Sequence, residues 1–381
     1  MHYIYKVLRH SNHLLLCMII ISYYAKSRSK MSDIDFVVLW VDSNDPSWLK
    51  SYSHYKNISV GADKNAQKPA RFRDMGMFRY WFRSVEKYAP WVRKIHLVTC
   101  GQVPEWLNIN HHKINIVKHS DIMDEACLPT FSSRAIEVNI HKIKGLSEKF
   151  VFFNDDMMLN SKIDPEFYFK NDLPNDFMID SRLSPTSIEH IVFNSTIIAN
   201  ASVINTFFNR RLVIKNNIKK YYSHIYGRYI LKNIKLKQNK SFEGFLGKHL
   251  PQPFLKSTFE EIWSMKEITD LLNRTSRFKF REGCCLNQYL FRYWQLAKGT
   301  FNPCNPKEMG VCYHLSGDDK QLLNAIADLK STKPQICLND CFSDDDAFHN
   351  ACDKLANTLN LKLGARSSFE LAAMPAADAA A

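Results

Sequence analysis

The sequence predicts a doubly wound, largely parallel α/β sheet followed by a more helical C-terminal half, and three observations carry that reading. Short apolar runs alternate with helix-patterned segments over residues 34–160. Two of the runs, 34–41 and 150–153, are apolar at nearly every position, as strands covered on both faces must be. Each then enters a carboxylate-rich loop, Asp42-Ser-Asn-Asp45-Pro46 in one case and Asn154-Asp-Asp156 in the other.

Taken in order, residues 34–41 read as a strand ended by an acidic turn and Pro46. Residues 75–88 carry Met75, Phe78, Phe82 and Val85 on one helical face and stop before Pro90. Strands are expected over 94–100, closed by Gly101, and over 114–117. Ser132 or Ser133 can cap a helix running to about residue 144, and the strand 150–153 follows. Beyond it, 188–208, 258–273 and 284–297 have helical length and pattern, with a late strand over 335–338 and a helix from about 344 to 359. No internal repeat is visible.

Residues 1–30 contain an apolar run too short to span a bilayer and a poor cleavage site, so they read as a weak N-terminal extension or a mis-assigned start. The Ala-rich residues 372–381 read as a frayed, disordered tail. What remains is one domain over 31–371. Residues 31–160 form its nucleotide-handling core, 161–257 a helical and basic insertion, and 258–371 the part that completes the site.

At 45% hydrophobic and 13% aromatic residues, the chain of 381 residues is composed to bury a core, which excludes a disordered protein. Its ten cysteines show no secreted framework, since Cys284 and Cys285 are adjacent and the others scattered. They read as reduced thiols of a cytoplasmic protein. Cys337, Cys341, His349 and Cys352 invite a zinc reading, but their spacing matches none of the usual structural sites. The net charge of +13 is concentrated: residues 209–240 hold ten Lys or Arg and no Asp or Glu, interleaved with Tyr221, Tyr222, Tyr226 and Tyr229. That pattern suits a polyanion or the anionic inner face of a membrane. No nucleic-acid-binding motif accompanies it, which argues against nucleic acid.

Asp155 and Asp156, at the carboxyl end of a buried strand, are hard oxygen donors suited to Mg²⁺ or Mn²⁺ and a phosphate-bearing substrate, although Asn-Asp-Asp is also ordinary turn composition. Arg71 and Arg73, near a helix N-terminus, could gather a phosphate, with Asp74 holding one of them or capping the helix. Arg79 and Arg83 continue along that helix. Thr130, Ser132 and Ser133 make a hydroxyl-rich loop suited to a sugar or phosphate, or to a plain cap. His249, in the proline-bounded Gly247-Lys-His-Leu-Pro-Gln-Pro253, could act as general base or phosphate donor. Arg281 precedes another helix and is weighed in the same way.

In this order the segments resemble the Stealth family of hexose-1-phosphate transferases. The resemblance rests on four blocks: residues 35–46; Arg71-Phe-Arg-Asp74 through Asn154-Asp-Asp156; Lys248-His-Leu-Pro251 through Arg281; and Cys337-Leu-Asn-Asp340 with Ser367-Ser-Phe-Glu370. Ser43-Asn44 departs from the usual Gly and small residue, but Asn tolerates a left-handed turn, so the loop is expected to survive. Cys284-Cys285 stands where the family is commonly acidic. The resemblance implies a nucleotide-sugar (GT-A-like) core. It also implies transfer of sugar-1-phosphate from a UDP-sugar donor to a hydroxyl of a glycan or capsule polysaccharide acceptor, releasing UMP.

By the same resemblance Asp155 and Asp156 serve the metal and the acceptor hydroxyl, one of them or His249 is the base, and Arg281 and Arg71 hold the diphosphate. Asp42 and Asp45 shape the nucleotide pocket, Asp74 and Arg79 support it, and Arg73, Gln102, Thr130, Ser132 and Asn154 complete the substrate-binding set. The basic stretch would hold a growing polyanionic chain. The competing readings are a metal-dependent glycosyltransferase that releases UDP and a non-catalytic glycan-binding relative.

Overall fold

A computed structural model describes residues 33–58, 69–184 and 190–372; the readings made for residues 1–30 and for the tail beyond residue 372 fall outside them. The strands in chain order are β1 (Ile34–Leu39), β2 (Ile95–Thr99), β3 (Ile114–Lys118), β4 (Lys149–Phe153), β5 (Met157–Leu159), β6 (Phe169–Lys170), β7 (Leu173–Asp176), β8 (Gln252–Leu255), β9 (Asn302–Pro303), β10 (Val311–Leu315) and β11 (Gln335–Asp340). The main sheet has the order β3-β2-β1-β4-β8, with the first four strands parallel and β8 antiparallel to β4. A second sheet, β10-β11-β5, starts where the first ends, because β5 follows β4 after only three residues.

The near-continuous apolar runs have the cause the sequence suggested. Phe36, Val38, Leu97, Val151 and Phe153 face one core, while Val37, Leu39, Val98, Phe150 and Phe152 face another. Both faces of the sheet are therefore covered. The helix Phe78–Tyr88 packs on the first face, where the Trp81 ring meets Phe36 and Phe153 at centroid distances of 6.4 and 5.4 Å. On the second face lies the helix Gln288–Lys298, whose Phe291 ring stacks on Phe259.

Two expected helices are broken, each for a local reason. The one expected from Ser132 ends at Glu137 and resumes as a 3₁₀ turn over Ile140–Lys142. Asn139 causes this: its side-chain amide donates to the Ala135 carbonyl at 2.8 Å, the acceptor its own backbone N–H would need, and that N–H bonds Ile136 instead. The segment read as one helix over 258–273 is two, Lys256–Trp263 and Lys266–Arg277, with Met265 extended between them. Strand β10 and the helix Asp319–Lys330 were not foreseen. Gly310, which leads into β10, has φ +134°, and a Cβ there would lie 2.5 Å from the Gln335 carbonyl oxygen.

Buried ion pairs join segments remote in sequence. Arg292, 1% exposed, donates through Nε and Nη2 to Asp176, 2% exposed, at 2.7–3.1 Å. Arg292→Met would leave that carboxylate without its cation in the interior, and we expect a loss of ~3–5 kcal/mol. A urea-denaturation midpoint indistinguishable from wild type would contradict this.

Candidate active site

The topology brings the acidic turn, the histidine and the arginines together. Asn154, Asp155 and Asp156 link β4 to β5, and the Asn154 carbonyl closes the turn by accepting from the Met157 N–H at 3.2 Å. Because β8 runs antiparallel to β4, with Phe152 opposite Gln252, the residues just before β8 lie beside the end of β4. His249 is among them, and its Nε2 is 3.0 Å from Asp156 Oδ2. Strand β11 closes the other side: the Leu338 N–H donates to the Asp156 carbonyl at 2.8 Å, and the Cys337 thiol donates to Asp156 Oδ2 at 3.4 Å.

Burial pushes the Asp156 carboxyl up, but the charge and hydrogen bond of His249 and the Cys337 thiol outweigh it, so the carboxyl sits below its usual range. For His249 burial favours the neutral ring, yet Asp156 prevails and raises the imidazole above its ordinary value of 6.5. The carboxylate's share of stability is present above 3.8 and lost as pH falls through its lowered pKa. The imidazole's share is present below 6.5 and lost as pH rises through its raised pKa, so the pair stabilises most between those values. We expect His249 in the metal-free protein to titrate above 6.5 by NMR, and in Asp156→Asn to titrate below it, because burial then acts unopposed. An unchanged titration in the variant would contradict the pairing.

Asp155 opens onto solvent but is set in a concave cleft of like charge. Desolvation by the surrounding protein, then the charges of Asp156 and Asp74, push its carboxyl up to about 8. Asp74 is also raised, by burial and by Asp42, against the hydrogen bond from the Gly76 N–H. Asp156 Oδ1 is buried with no hydrogen-bond partner. Crowded carboxylates and an orphaned carboxylate oxygen are the donor set a hard divalent cation requires, so these residues fit Mg²⁺ or Mn²⁺.

Near His249 lies a cluster of guanidinium groups. Burial, followed by repulsion from Arg71 and Arg134, lowers Arg281 to about 10, with Glu137 compensating in part. Arg281 is held by the loop 128–133. Thr130 Oγ1 donates to the Phe278 carbonyl at 2.9 Å, the Phe131 N–H to the Lys279 carbonyl at 2.8 Å, and the Phe131 ring stacks on Phe280. Ser133 Oγ then accepts from Arg281 Nη2 at 2.9 Å. Arg281 is close enough to His249 to oppose its protonation, and Arg71 acts likewise on His314.

Several residues read as contacts for a substrate have other work in the structure. Arg73 grips Asp340 through Nε and Nη2 at 2.9 and 3.0 Å, reaches Asp345, and lies over the Phe348 ring. Arg79 lies toward Glu370 and Trp106, and Arg83 makes two hydrogen bonds to Glu370. Asp45 caps the helix Pro46–Ile58 through the Trp48 N–H at 2.7 Å. Gln102 clamps the backbone N–H and carbonyl of Asp42 at 2.9 and 2.8 Å, and Asp42 Oδ1 accepts from the Asn44 N–H. With the turn held in that way, Asn44 has no need of the left-handed conformation that Asn tolerates, and its φ is not positive. Thr130 and Ser132 are buried, and Ser132 makes no side-chain cap.

The zinc grouping does not assemble as a unit. Cys337 faces Asp156, whereas His349 packs beside Phe348 and Cys352 lies against the core. Sequence reasoning also missed Cys312 and His314 on β10, which the β10–β11 register sets opposite Cys337 and Asn339. Alternation along residues 311–315 was the only available signal.

The fold is thus that of an α/β protein with carboxylates at the carboxyl end of a parallel sheet, one of them paired with a histidine that lies near a guanidinium group. The profile of Stealth protein CR2, conserved region 2, matches residues 71–176. The chain is 40% identical over 344 residues to capsular polysaccharide phosphotransferase WcwK of Streptococcus pneumoniae, covering 89% of this chain and 98% of that one. It is 39% identical to exopolysaccharide phosphotransferase cps2G of Lactiplantibacillus plantarum (89% and 96% covered) and 38% identical to receptor polysaccharide phosphotransferase WefC of Streptococcus oralis (90% and 100%). The chain belongs to the Stealth family. Among solved structures, mouse xyloside xylosyltransferase 1 superposes with a TM-score of 0.32 at 11% identity, over 80% of this chain and 97% of that one.

Proposed function

We propose that the protein is a polysaccharide phosphotransferase that moves hexose-1-phosphate from a UDP-sugar to a hydroxyl of a glycan acceptor, releasing UMP and leaving a phosphodiester. Its relatives' names support transfer of a phosphate-bearing group in polysaccharide synthesis. The observation that carries the donor chemistry is the nearness of Arg281, with Arg71 beside it, to His249, which itself pairs with Asp156, so that both charge types meet at one site. In-line displacement at phosphorus needs charge neutralised on the non-bridging oxygens and on the departing nucleotide.

In this reading His249 is the base. Asp156 holds Nε2 and raises the ring's basicity, leaving Nδ1 to take the acceptor's proton, as in carboxylate–imidazole pairs generally. Arg281, positioned by Ser133, and Arg71 bind the diphosphate. Asp155 and Asp156 would hold Mg²⁺ or Mn²⁺, which supplies Lewis-acid neutralisation of the diphosphate. Arg73, Gln102, Thr130 and Asp45 brace the loops that carry these groups. The deciding experiment incubates the protein with UDP-hexoses, Mg²⁺ or Mn²⁺ and an oligosaccharide acceptor, and resolves the nucleotide released. UMP with a new phosphodiester is expected; UDP would make the protein a glycosyltransferase, and a chain that binds glycan without turnover would be a binding protein.

The basic stretch supports a second partner, the anionic inner face of the membrane. Arg210 is buried against Asp180 and Tyr221, and Lys220 donates to the Phe301 carbonyl, so these two cations are structural. The other eight are exposed among exposed Leu212, Ile218, Ile225, Leu231 and Ile234. A soluble polyanion would require only the charges; apolar residues between them favour a bilayer surface. Among the described residues no single helix is long and apolar enough to cross a membrane. We expect the protein to float with vesicles containing anionic lipid and not with zwitterionic ones, and the double variant Leu231→Asp, Ile234→Asp to lose flotation. Flotation unaffected by the variant would refute this contact.

A further inference from the structure

The mechanism above uses Asp156 and His249 but leaves Cys337 without a role. Asp156 Oδ2, His249 Nε2 and Cys337 Sγ all lie within 4.8 Å of one another, the carboxylate oxygen being 3.0 Å from the nitrogen and 3.4 Å from the sulfur. In a tetrahedral zinc site with bonds of about 2.0–2.3 Å, neighbouring donors stand roughly 3.3–3.8 Å apart. Two of the three spacings are thus close to coordination spacing, and the nitrogen and sulfur are no more than 4.8 Å apart. They are held by separate elements, Asp156 in the β4–β5 turn, His249 before β8 and Cys337 in β11.

The donors are also of the right chemical kind. Thiolate and imidazole are the soft and borderline ligands that select Zn²⁺ and its relatives over Mg²⁺. More of them stand close by: the register places Cys312 beside Cys337 on the adjacent strand, and His314 Nε2 is 4.0 Å from the Cys312 sulfur. The Cys337 side chain is fully buried, so its sulfur is already fixed in place.

We propose that Asp156, His249 and Cys337 form a site for a thiophilic divalent cation, Zn²⁺ or Co²⁺, which shares Asp156 with the carboxylate set that suits a hard ion but adds a thiolate and an imidazole to it. Binding releases the thiol proton of Cys337 to solvent and replaces the hydrogen bond between His249 and Asp156; the Nε2 proton also leaves to solvent, and Nδ1 keeps or takes up one, so that a neutral ring turns its Nε2 lone pair to the ion. A solvent molecule fills the fourth position. Its consequence for activity rests on the function proposed above: with Nε2 and Oδ2 both ligated, Asp156 no longer orients and polarises His249, so zinc is an inhibitor.

The test separates binding from its consequence. The full-length reduced protein, stripped of metal, is titrated with Co²⁺ and followed by absorption. Wild type should develop a near-ultraviolet thiolate-to-cobalt band and tetrahedral visible bands, removed by one equivalent of Zn²⁺. Cys337→Ser should lose the thiolate band and bind Zn²⁺ about 10-fold more weakly or worse, whereas Cys352→Ser, on a different element, should keep both. No thiolate band in wild type overturns the site, as does a band that persists in Cys337→Ser. The wild-type spectrum decides the matter even if that variant fails to fold. In the transferase assay, zinc inhibition of wild type supports the predicted consequence. A bound ion that leaves turnover unchanged would refute the role given to the Asp156–His249 pair while leaving the metal site standing.

Discussion

Asp156→Asn should lower kcat by about 10³-fold while leaving the fold intact. The substitution preserves shape but removes the charge that sets the basicity of His249, and it replaces one of the two carboxylates assigned to the cation. Both losses fall on the transition state, so the effect should appear in kcat more than in KM. Near-native thermal stability with turnover reduced by less than 10-fold would remove Asp156 from the mechanism. His249→Ala is the companion measurement. If the two residues act as a unit, the double variant should be no worse than the more damaged single one.

Arg281→Met should abolish donor binding and yet leave the ligand-free protein at least as stable as wild type. The guanidinium is buried near the like charges of Arg71 and Arg134, which Glu137 and Cys285 offset only in part. Without an anion that crowding is unfavourable, so removing one cation relieves repulsion. With the donor present the same cluster becomes an asset, and a UDP-sugar should raise the melting temperature of wild type but not of the variant. Arg281→Lys is expected to recover little, because a point charge cannot make the two parallel hydrogen bonds of a guanidinium to phosphate. A variant that melts lower and still responds to donor would place Arg281 in the scaffold instead.

How much of this was legible in the sequence depends on what each residue type can do. Strands β1 and β4 were readable because only a strand covered on both faces is apolar throughout, and the carboxylates following β4 could be placed from the topology such strands adopt. That Asp155, Asp156, His249 and Arg281 converge was suggested by family resemblance, not by spacing: Asp156 and His249 are 93 positions apart. Arg73, Asp45 and Thr130 show the opposite difficulty, because each has a protein partner that the sequence did not reveal. Guanidinium, carboxylate and hydroxyl groups serve equally to bind a ligand and to brace a loop, and sequence does not show which neighbour arrives first. The helix expected to run from Ser132 was lost to one amide, Asn139, whose competition with the backbone depends on Ser276 meeting it from another segment at 2.8 Å. Cys312 and His314 went unnoticed because their importance lies in the pairing of β10 with β11.

The bonds from Arg83 to Glu370 and from Arg73 to Asp340 bridge 287 and 267 positions. During synthesis, the acidic turn and the first arginines leave the ribosome long before His249, Arg281, Asp340 and Glu370 exist. On the mechanism proposed above, a nascent chain would carry the carboxylates assigned to the cation without the base or Arg281, and could not turn over donor however much were present. Competence would then come late in translation, when β11 and the segment beyond it dock against Arg73 and the helix Phe78–Tyr88. An enzyme assembled in this manner is silent as a fragment, and proteolysis near residue 340 should switch it off in the same way that incomplete synthesis keeps it off.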